Sequence, residues 1–141
     1  MTTAPITENK MIHDLYGLRP PVLTAYLNSP FPGPGVDDTA LRRQALLDEL
    51  RVPGTAPDAL EAMDKVLSTL EPGEPPAAAF AGADGKVRMF SMPGAQVGDQ
   101  AHVASVPHVL PLLVWRQRHP AYAVVMLDRT GAELTVHPAG A

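Results

Sequence analysis

The sequence predicts an α/β domain in which a mixed β-sheet is covered by an α-helical hairpin plus one further helix, with a C-terminal β-hairpin. Three observations lead to this prediction. Apolar residues make up 45% of the 141 positions, enough for a hydrophobic core. The 16 prolines and 11 glycines favour short elements joined by stiff connections. Stretches with strand-like and helix-like apolar spacing also alternate along the chain.

The first elements are a short helix and a buried strand. Residues 1–6 are predicted to be a disordered leader, after which Thr7 can cap a helix that Gly17 ends in the left-handed conformation. The expected apolar face of this helix carries Met11, Ile12, Leu15 and Tyr16. Residues 22–27 are apolar and partly β-branched or aromatic, which is typical of a buried strand. The proline-rich stretch 28–36 is predicted to be an exposed loop.

Two helices joined by a short turn are predicted next. Asp37 or Asp38 caps the first, which runs through Arg51, and residues 52–54 break it. Its expected buried positions include Leu41, Leu47 and Leu50. Residues 55–58 have the form of a capping box with a proline in the first turn of the second helix. The apolar positions of that helix recur at helical spacing: Leu60, Met63, Leu67 and Leu70.

The second half of the chain is predicted to hold most of the strands. Residues 77–81 and 86–92 flank Asp84-Gly85, a strong hairpin signal, and a short strand ends near Val103. Ser105 is expected to cap a helix over residues 106–117, with Pro107 and Pro111 near its start. Strands 121–127 and 132–136 then enclose a turn in which Gly131 supplies a positive φ.

Composition and charge limit the possible partners and locations. The chain has no cysteine, so disulfides, thiolate metal sites and cysteine nucleophiles are excluded. Its formal net charge of −4 gives no general attraction to nucleic acid, so we expect no DNA partner, and any RNA contact must come from a local patch or from a partner domain. Neither a signal peptide nor an apolar run of membrane-spanning length is visible. We therefore expect a soluble, cytoplasmic protein that does not bind membranes.

The search for an active site finds no convincing candidate. The five histidines lack the spacing of metal ligands between near neighbours, and no glycine-rich segment has the pattern of a phosphate-binding loop. We therefore expect no metal site, no cofactor, no catalytic residue and no enzymatic activity. A further alternative is a small hydrolase or nuclease that uses Asp37, Asp38 or the histidines.

Two basic clusters stand out. One is Arg42-Arg43, and the other, formed by Arg116, Arg118 and His119, follows Trp115 at the end of a predicted helix. Cations at the C-terminal end of a helix interact favourably with the helix dipole, which is a sufficient structural explanation for the second cluster. The functional alternative is that this cluster contacts a phosphate. Trp115 is interpreted as a core or interface anchor rather than a platform for stacking bases.

The order of these elements, together with two motifs, resembles one family. Residues 106–113 read Val-Pro-His-Val-Leu-Pro-Leu-Leu, and Asp128-Arg129-Thr130-Gly131-Ala132 has the form Asp-x-x-Gly-Ala. The second motif resembles the hairpin that opens the middle domain of archaeal and eukaryotic peptide-chain release factor one. The first is similar to the bacterial branch of that family, which includes the Balon-type ribosome hibernation factors. The resemblance spans about residues 10–141, and the order of the elements and the C-terminal third carry most of it.

The resemblance implies a domain that enters the ribosome. It divides the chain into an N-terminal α/β domain, residues 7–118, and a hairpin, residues 119–141, that looks like the start of a missing middle domain. In the release factors the turn between the two helices carries the stop-codon reader Asn-Ile-Lys-Ser. Here residues 52–57 contain neither lysine nor asparagine, and Gly-Gly-Gln, the motif of peptidyl-tRNA hydrolysis, occurs nowhere.

We therefore expect a non-catalytic, ribosome-associated binding domain of a release-factor-like or hibernation factor protein. Its expected contacts with the ribosome or another partner are Pro53, Gly54, Thr55, Arg116, Arg118 and His119, and the loops 28–36, 52–57 and 93–100 are the candidate contact segments. The alternative is a stand-alone protein-interaction domain that binds an unknown partner or forms a homodimer. Because a lone hairpin with an apolar face is marginally stable, we expect residues 121–136 to pack against the rest of the chain.

Overall fold

The computed structural model describes residues 4–28, 39–71 and 73–138. Ten elements follow one another along the chain: α1 Ala4–Tyr16, β1 Val22–Leu27, α2 Thr39–Leu50, α3 Pro57–Ser68, β2 Ala77–Ala81, β3 Val87–Ser91, β4 Gln100–Ala104, α4 Leu110–Arg118, β5 Tyr122–Leu127 and β6 Ala132–His137. Strands β1 to β4 form one sheet, and β5 and β6 form another. The predicted α/β class, with its helical hairpin, further helix and C-terminal β-hairpin, is confirmed.

The larger sheet has the strand order β3-β2-β1-β4, and each of its pairings is antiparallel. The parallel pair that a mixed sheet would contain is absent from the described strands. A single crossover helix between two strands returns the chain in the same direction and makes them parallel. Two helices, α2 and α3, lie between β1 and β2, and the additional reversal brings β2 back antiparallel to β1.

The helical hairpin α2–α3 covers one face of this sheet. Every second residue of β1 and β2 points to this side, as strand geometry requires. The core on this face is formed by Leu23, Ala25, Leu27, Leu46, Leu47, Leu50, Ala59, Met63, Leu67, Leu70, Ala77, Ala79 and Ala81. The predicted packing of the hairpin against the sheet is confirmed.

Helices α1 and α4 cover the opposite face. The second core consists of Met11, Leu15, Leu18, Val22, Tyr26, Ala78, Phe80, Met92, Val97, Leu112 and Trp115. Within it, the Tyr26 ring meets the edge of Phe80 with ring centres 6.2 Å apart. The Tyr26 hydroxyl donates to the carbonyl of His108 at 2.5 Å, tying β1 to the segment before α4. Burial raises the pKa of the Tyr26 phenol well above its ordinary value, outweighing the opposing effect of a backbone hydrogen bond at Leu112.

Two apolar residues that we predicted to be buried are exposed. Leu41 of α2 is 76% exposed, because it lies about 120° around the helix from the buried Leu47 and about 180° from the buried Leu50. Tyr16 of α1 lies about 100° from Leu15 around its helix and is also exposed. In both helices the apolar positions outnumber those that the sheet can cover.

Several predicted helix ends are wrong. Helix α1 begins at Ala4, so Thr7 lies inside the helix and residues 4–6 are not part of a disordered leader. Gly17 is not left-handed, because its N–H continues the helical pattern by donating to the carbonyl of His13. The predicted caps Asp37 and Asp38, and residues 29–36 of the first loop, lie outside the described residues.

The capping box predicted at residues 55–58 is not formed, although Pro57 does occupy the first turn of α3. Ala56 is the N-cap and makes no side-chain capping bond. The Thr55 hydroxyl donates instead to the carbonyl of Leu50 at the end of α2. This bond ties the end of the first helix to the turn that follows it.

Helix α4 starts at Leu110 rather than after Ser105, with Val109 as its N-cap. Tertiary hydrogen bonds explain the late start. The His108 N–H donates to the Thr24 hydroxyl, and its carbonyl accepts from Tyr26, so both backbone groups are engaged with β1. As predicted, Pro111 lies in the first turn.

Of the two predicted hairpin turns, one has the expected glycine conformation and the other does not. Gly85 has a φ of +85°, as the hairpin between β2 and β3 requires. Gly131 does not have the expected positive φ. The Asp128 carboxylate accepts hydrogen bonds from the N–H groups of Thr130 and Gly131, and this side-chain turn replaces the left-handed glycine.

The C-terminal hairpin β5–β6 does not pack against the rest of the described chain, contrary to our expectation. Its strands contact mainly each other, and the large apolar side chains of both strands are exposed. The register places Val125 opposite Leu134 and Ala123 opposite Val136, so one face of the hairpin is entirely apolar. The rest of the described chain therefore leaves this apolar face uncovered.

None of the helices in the described part of the chain is both long and apolar enough to cross a bilayer.

Candidate functional site

The six residues predicted to contact a partner lie in two separate places. Pro53, Gly54 and Thr55 form the tip of the helical hairpin, on the α2–α3 side of the sheet. Arg116, Arg118 and His119 lie at the end of α4, which packs on the opposite face. The structure therefore does not bring the two predicted groups together into one site.

The hairpin tip is a small exposed turn with a fixed backbone. Gly54 has a φ of +93°, and a Cβ built there would meet no atom within 4 Å. Val52 and Pro53 are exposed beside it. The tip can make surface contacts, but it presents neither a charged group nor a cavity.

The end of α4 borders a groove of about 490 Å³. We call it the α4 groove. It lies between α4 and the segment after β3, and is lined by Met92, Gly94, Ala95, Gln96, Val97, Leu110, Pro111, Val114, Trp115, Arg118 and His119. Its volume is in the range of ligand-binding sites. The predicted loop 93–100 and the second basic cluster thus meet at one place.

Trp115 forms the fixed wall of this groove. Its indole N–H donates to the carbonyl of Pro93 at 2.8 Å, and only 6% of the residue is exposed. Its interpretation as an anchor agrees with this burial. The ring of His119 stacks on it with centres 5.8 Å apart, so a nucleotide base has no free face of Trp115 to stack on.

The close approach of the His119 ring to the segment after β3 depends on Gly94. A Cβ at Gly94 would lie 3.3 Å from the His119 Nε2, and the φ of +77° also favours glycine. On the other side of the ring, His119 Nδ1 lies 3.1 Å from the carbonyl oxygen of Trp115. The segment after β3 and the end of α4 are therefore in close contact at His119.

The two arginines of the cluster have different environments. Arg116 is partly buried, and its guanidinium contacts the Met11 sulfur at 3.5 Å, so it joins α4 to α1. Arg118 is exposed on the rim of the groove and has no hydrogen bond or ion pair with any residue in ranges 4–28, 39–71 and 73–138. Arg118 is the cation that a ligand could reach.

Arg42 of the first basic cluster has a structural role. Arg42 binds Asp99 through two hydrogen bonds of 2.7 Å, and its guanidinium also donates to the Asn28 carbonyl at 3.0 Å. Burial raises the pKa of Asp99, but its bonds with Arg42 and the Asn28 N–H outweigh that effect and hold the pKa below the usual value. This ion pair, which we call the Arg42–Asp99 clasp, joins α2 to the ends of β1 and β4.

Sequence spacing gave no sign of one histidine pair. The rings of His102 and His108 lie with centres 4.0 Å apart, and His102 Nε2 is 2.9 Å from the Gln100 side-chain oxygen. Burial and then the charge of His108 lower the pKa of His102, against an opposing effect of Glu49. Within the described ranges, no three histidine, aspartate or glutamate residues are placed to hold a metal ion.

Comparisons with known proteins add a fold relationship. No family model and no curated protein matches the sequence. A solved structure described as an archaeal protein superposes with a TM-score of 0.53 at 21% identity, covering 94% of this chain and 43% of the other. A crystal structure of an archaeal translation termination factor, aRF1, superposes with a TM-score of 0.51 at 18% identity, covering 96% of this chain and 43% of the other.

This chain therefore spans less than half the length of either neighbour. At these identities the likeness shows a shared fold. The resemblance to release factors is confirmed to that extent, as a distant relationship of fold with a translation termination factor.

Proposed function

We propose that this chain is a non-catalytic binding domain of a release-factor-like translation protein, and that it associates with the ribosome. The observation that carries the proposal is the fold shared with an archaeal translation termination factor over 96% of this chain. The order of elements and the motifs at residues 106–113 and 128–132 point to the same family.

The charge distribution defines how such a domain would contact RNA. A chain with a net charge of −4 has no general affinity for phosphate, so attraction must come from a local basic surface. The end of α4 provides one, because Arg116, Arg118 and His119 lie within four consecutive residues there and no carboxylate lines the groove beside them. Arg118 is exposed and is the residue of this cluster most suited to a phosphate.

The proposed role is to occupy the ribosome, as in the hibernation branch, without reading a stop codon or releasing a peptide. The hairpin tip at residues 52–57 has no lysine or asparagine, and the chain contains no Gly-Gly-Gln. Both motifs of a release factor are therefore missing from this sequence.

Co-sedimentation with purified ribosomes tests this proposal. We expect binding at about 50 mM salt that weakens strongly at about 200 mM, because phosphate contacts release counterions. Arg118→Gln should weaken binding about fivefold, as expected for one lost phosphate contact of about 1 kcal/mol. Arg129→Gln, which removes an exposed arginine from the β5–β6 turn, is the matched control and should have a smaller effect. Absence of binding at low salt would refute the proposal.

A second candidate function, a protein-interaction domain, is favoured by the exposed hairpin β5–β6. Its apolar face, formed by residues 123, 125, 127, 132, 134 and 136, is the kind of surface that proteins bury against a partner or a second copy. Both strands also have an unpaired edge among the described residues, and such edges accept a further strand.

Light scattering over a range of concentrations tests self-association. If the hairpin mediates it, Val125→Asp should shift the protein towards monomer, because it places a charge in the apolar face. Thr135→Asp, a change on the opposite face of the same hairpin, should not. A protein that is monomeric at every concentration would exclude the homodimer.

A further inference from the structure

The outer face of α4 carries three exposed side chains in line along the α4 groove. Leu110, Val114 and Arg118 are spaced four residues apart, and such residues lie on the same face of a helix. Leu110 is 63% exposed and Val114 is 37% exposed. At 1.5 Å per residue, the row has a repeat of about 6 Å and a length of about 12 Å.

The groove beside this row has an apolar floor that is already formed. Met92, Val97 and Trp115 are buried there, held by the second hydrophobic core. The bond from Trp115 to Pro93 and the stacking of His119 on Trp115 fix its walls. A ligand that enters would find most of its contacts in place, which lowers the entropy cost of binding.

The charge of the groove is complementary to an anion at one end. Arg118 and His119 lie in the lining, which contains no aspartate or glutamate. This positive end is a local feature, since the whole chain has a net charge of −4. A guanidinium binds a carboxylate through two parallel hydrogen bonds, and Arg118 has no described partner to compete.

The repeat along α4 matches an extended peptide. Side chains on one side of an extended chain recur at about 6.7 Å, close to the repeat of about 6 Å along the helix. Five extended residues cover about 13 Å from the first Cα to the last, against about 12 Å for the row. Apolar side chains at the first and third positions would contact Leu110 and Val114, and an acidic fifth residue would reach Arg118.

We propose that the α4 groove binds an extended segment of a partner protein in which two apolar residues alternate along one side and a carboxylate follows. The buried Trp115, stacked against His119, leaves no platform for a nucleic-acid base, so the apolar part of the groove suits a peptide, whereas Arg118 on its rim can bind either a carboxylate or a phosphate. This activity goes beyond ribosome association and does not depend on it.

The test uses the pentapeptide acetyl-Leu-Ala-Leu-Ala-Glu-amide and its analogues ending in glutamine and lysine. Trp115 is the single tryptophan of the chain, so its fluorescence reports directly on the groove. We expect saturable binding, with the glutamate peptide about fivefold tighter than the glutamine peptide and the lysine peptide weakest. Arg118→Gln should remove the preference for glutamate.

Val114→Asp should abolish binding, whereas Val106→Asp, which changes an exposed valine that does not line the groove, should leave it intact. Circular dichroism of both variants checks that the fold is retained. Three results would overturn the proposal: no change at Trp115 with any peptide at about 5 mM, equal affinity for the glutamate and lysine peptides, or equal effects of the two valine substitutions. A dimer that Val114→Asp converts to monomer would assign the groove to a second copy instead.

Because no ribosome is present in this titration, its failure leaves the proposed ribosome association unaffected. Conversely, a protein that does not sediment with ribosomes can still bind the peptide.

Discussion

The Arg42–Asp99 clasp connects segments that are 57 residues apart in sequence, so its removal should lower the stability of the whole domain. Its two hydrogen bonds form a bidentate ion pair, and the Asn28 N–H donates to the same carboxylate at 2.8 Å. We expect Arg42→Met to leave that carboxylate with only the backbone donor. The substitution keeps most of the aliphatic stem, so the loss is mainly of charge and hydrogen bonds.

The loss of unfolding free energy expected for Arg42→Met lies between two limits. Exposed ion pairs contribute about 0.2–1 kcal/mol, whereas breaking a fully buried pair costs about 3–5 kcal/mol. The side chains of Arg42 and Asp99 are 21% and 28% exposed, which places the pair between the limits. We expect a loss of about 1.5 kcal/mol, equivalent to roughly 5 °C in Tm for a chain of this size.

The clasp also gives stability a defined pH dependence. The pKa of Asp99 is lower in the folded protein than its ordinary value of 3.8. Its contribution is therefore fully present above pH 3.8 and is lost as the pH falls through the folded-state pKa. In Asp99→Asn this part of the acid sensitivity should disappear.

A double-mutant cycle of Arg42→Met and Asp99→Asn, measured by urea unfolding at neutral pH, isolates the pair. The matched control is a cycle on Arg51 and Asp48, whose side chains are 52% and 61% exposed and whose coupling should stay below about 0.5 kcal/mol. If the coupling of Arg42 with Asp99 is no larger than that of the control pair, the reasoning from burial and bidentate geometry is refuted.

Three further predictions concern the core and the groove. Met63→Ala, at a fully buried position of α3, should lower the free energy of unfolding by about 2–5 kcal/mol in denaturant titrations. Gly94→Ala should destabilise the protein by more than Gly54→Ala, because both have positive φ but only Gly94 lies against His119; equal losses would contradict the role of that contact. Tyr26→Phe removes the hydrogen bond to the His108 carbonyl and should lower the free energy of unfolding by about 0.5–1.5 kcal/mol at neutral pH. Because the folded-state pKa of Tyr26 is raised, the wild type should also lose stability above pH 10 more steeply than Tyr26→Phe does.

The buried strands were the elements that the sequence predicted best. The bounds of β1 and β2, residues 22–27 and 77–81, are confirmed to the residue. Both are apolar runs bounded by proline, glycine or polar residues, so their burial on two faces is visible locally. Because α2–α3 packs on one face of the sheet and α1 and α4 on the other, both faces of these strands must be apolar.

The start of α4 could not be predicted as well, because distant groups determine it. Residues 105–109 have good capping signals, yet α4 begins only at Leu110 since Thr24 and Tyr26 bind the backbone of His108. The capping box at residues 55–58 fails for a local reason, because the Thr55 hydroxyl donates to the carbonyl of Leu50, five residues earlier at the end of α2. A local pattern contains no information about Thr24 and Tyr26 as partners of His108.

The candidate site was predicted in part. Arg118 and His119 were identified as a basic cluster and loop 93–100 as a contact region, but the sequence did not indicate that they enclose one groove. The exposed row of Leu110 and Val114 was also missed, because apolar residues on a helix are ordinarily taken as core. Only the packing of α4 shows that Leu112 and Trp115 fill the core and leave the other two outside.

The isolation of hairpin β5–β6 has a consequence for handling the protein in solution. A two-stranded ribbon with few contacts to its neighbours opens by itself, so its backbone amides should exchange hydrogen before those of the four-stranded sheet. The run Val124-Val125-Met126-Leu127 is then a short, uncharged β-forming segment beside an open edge, which is the composition that nucleates aggregation at high concentration.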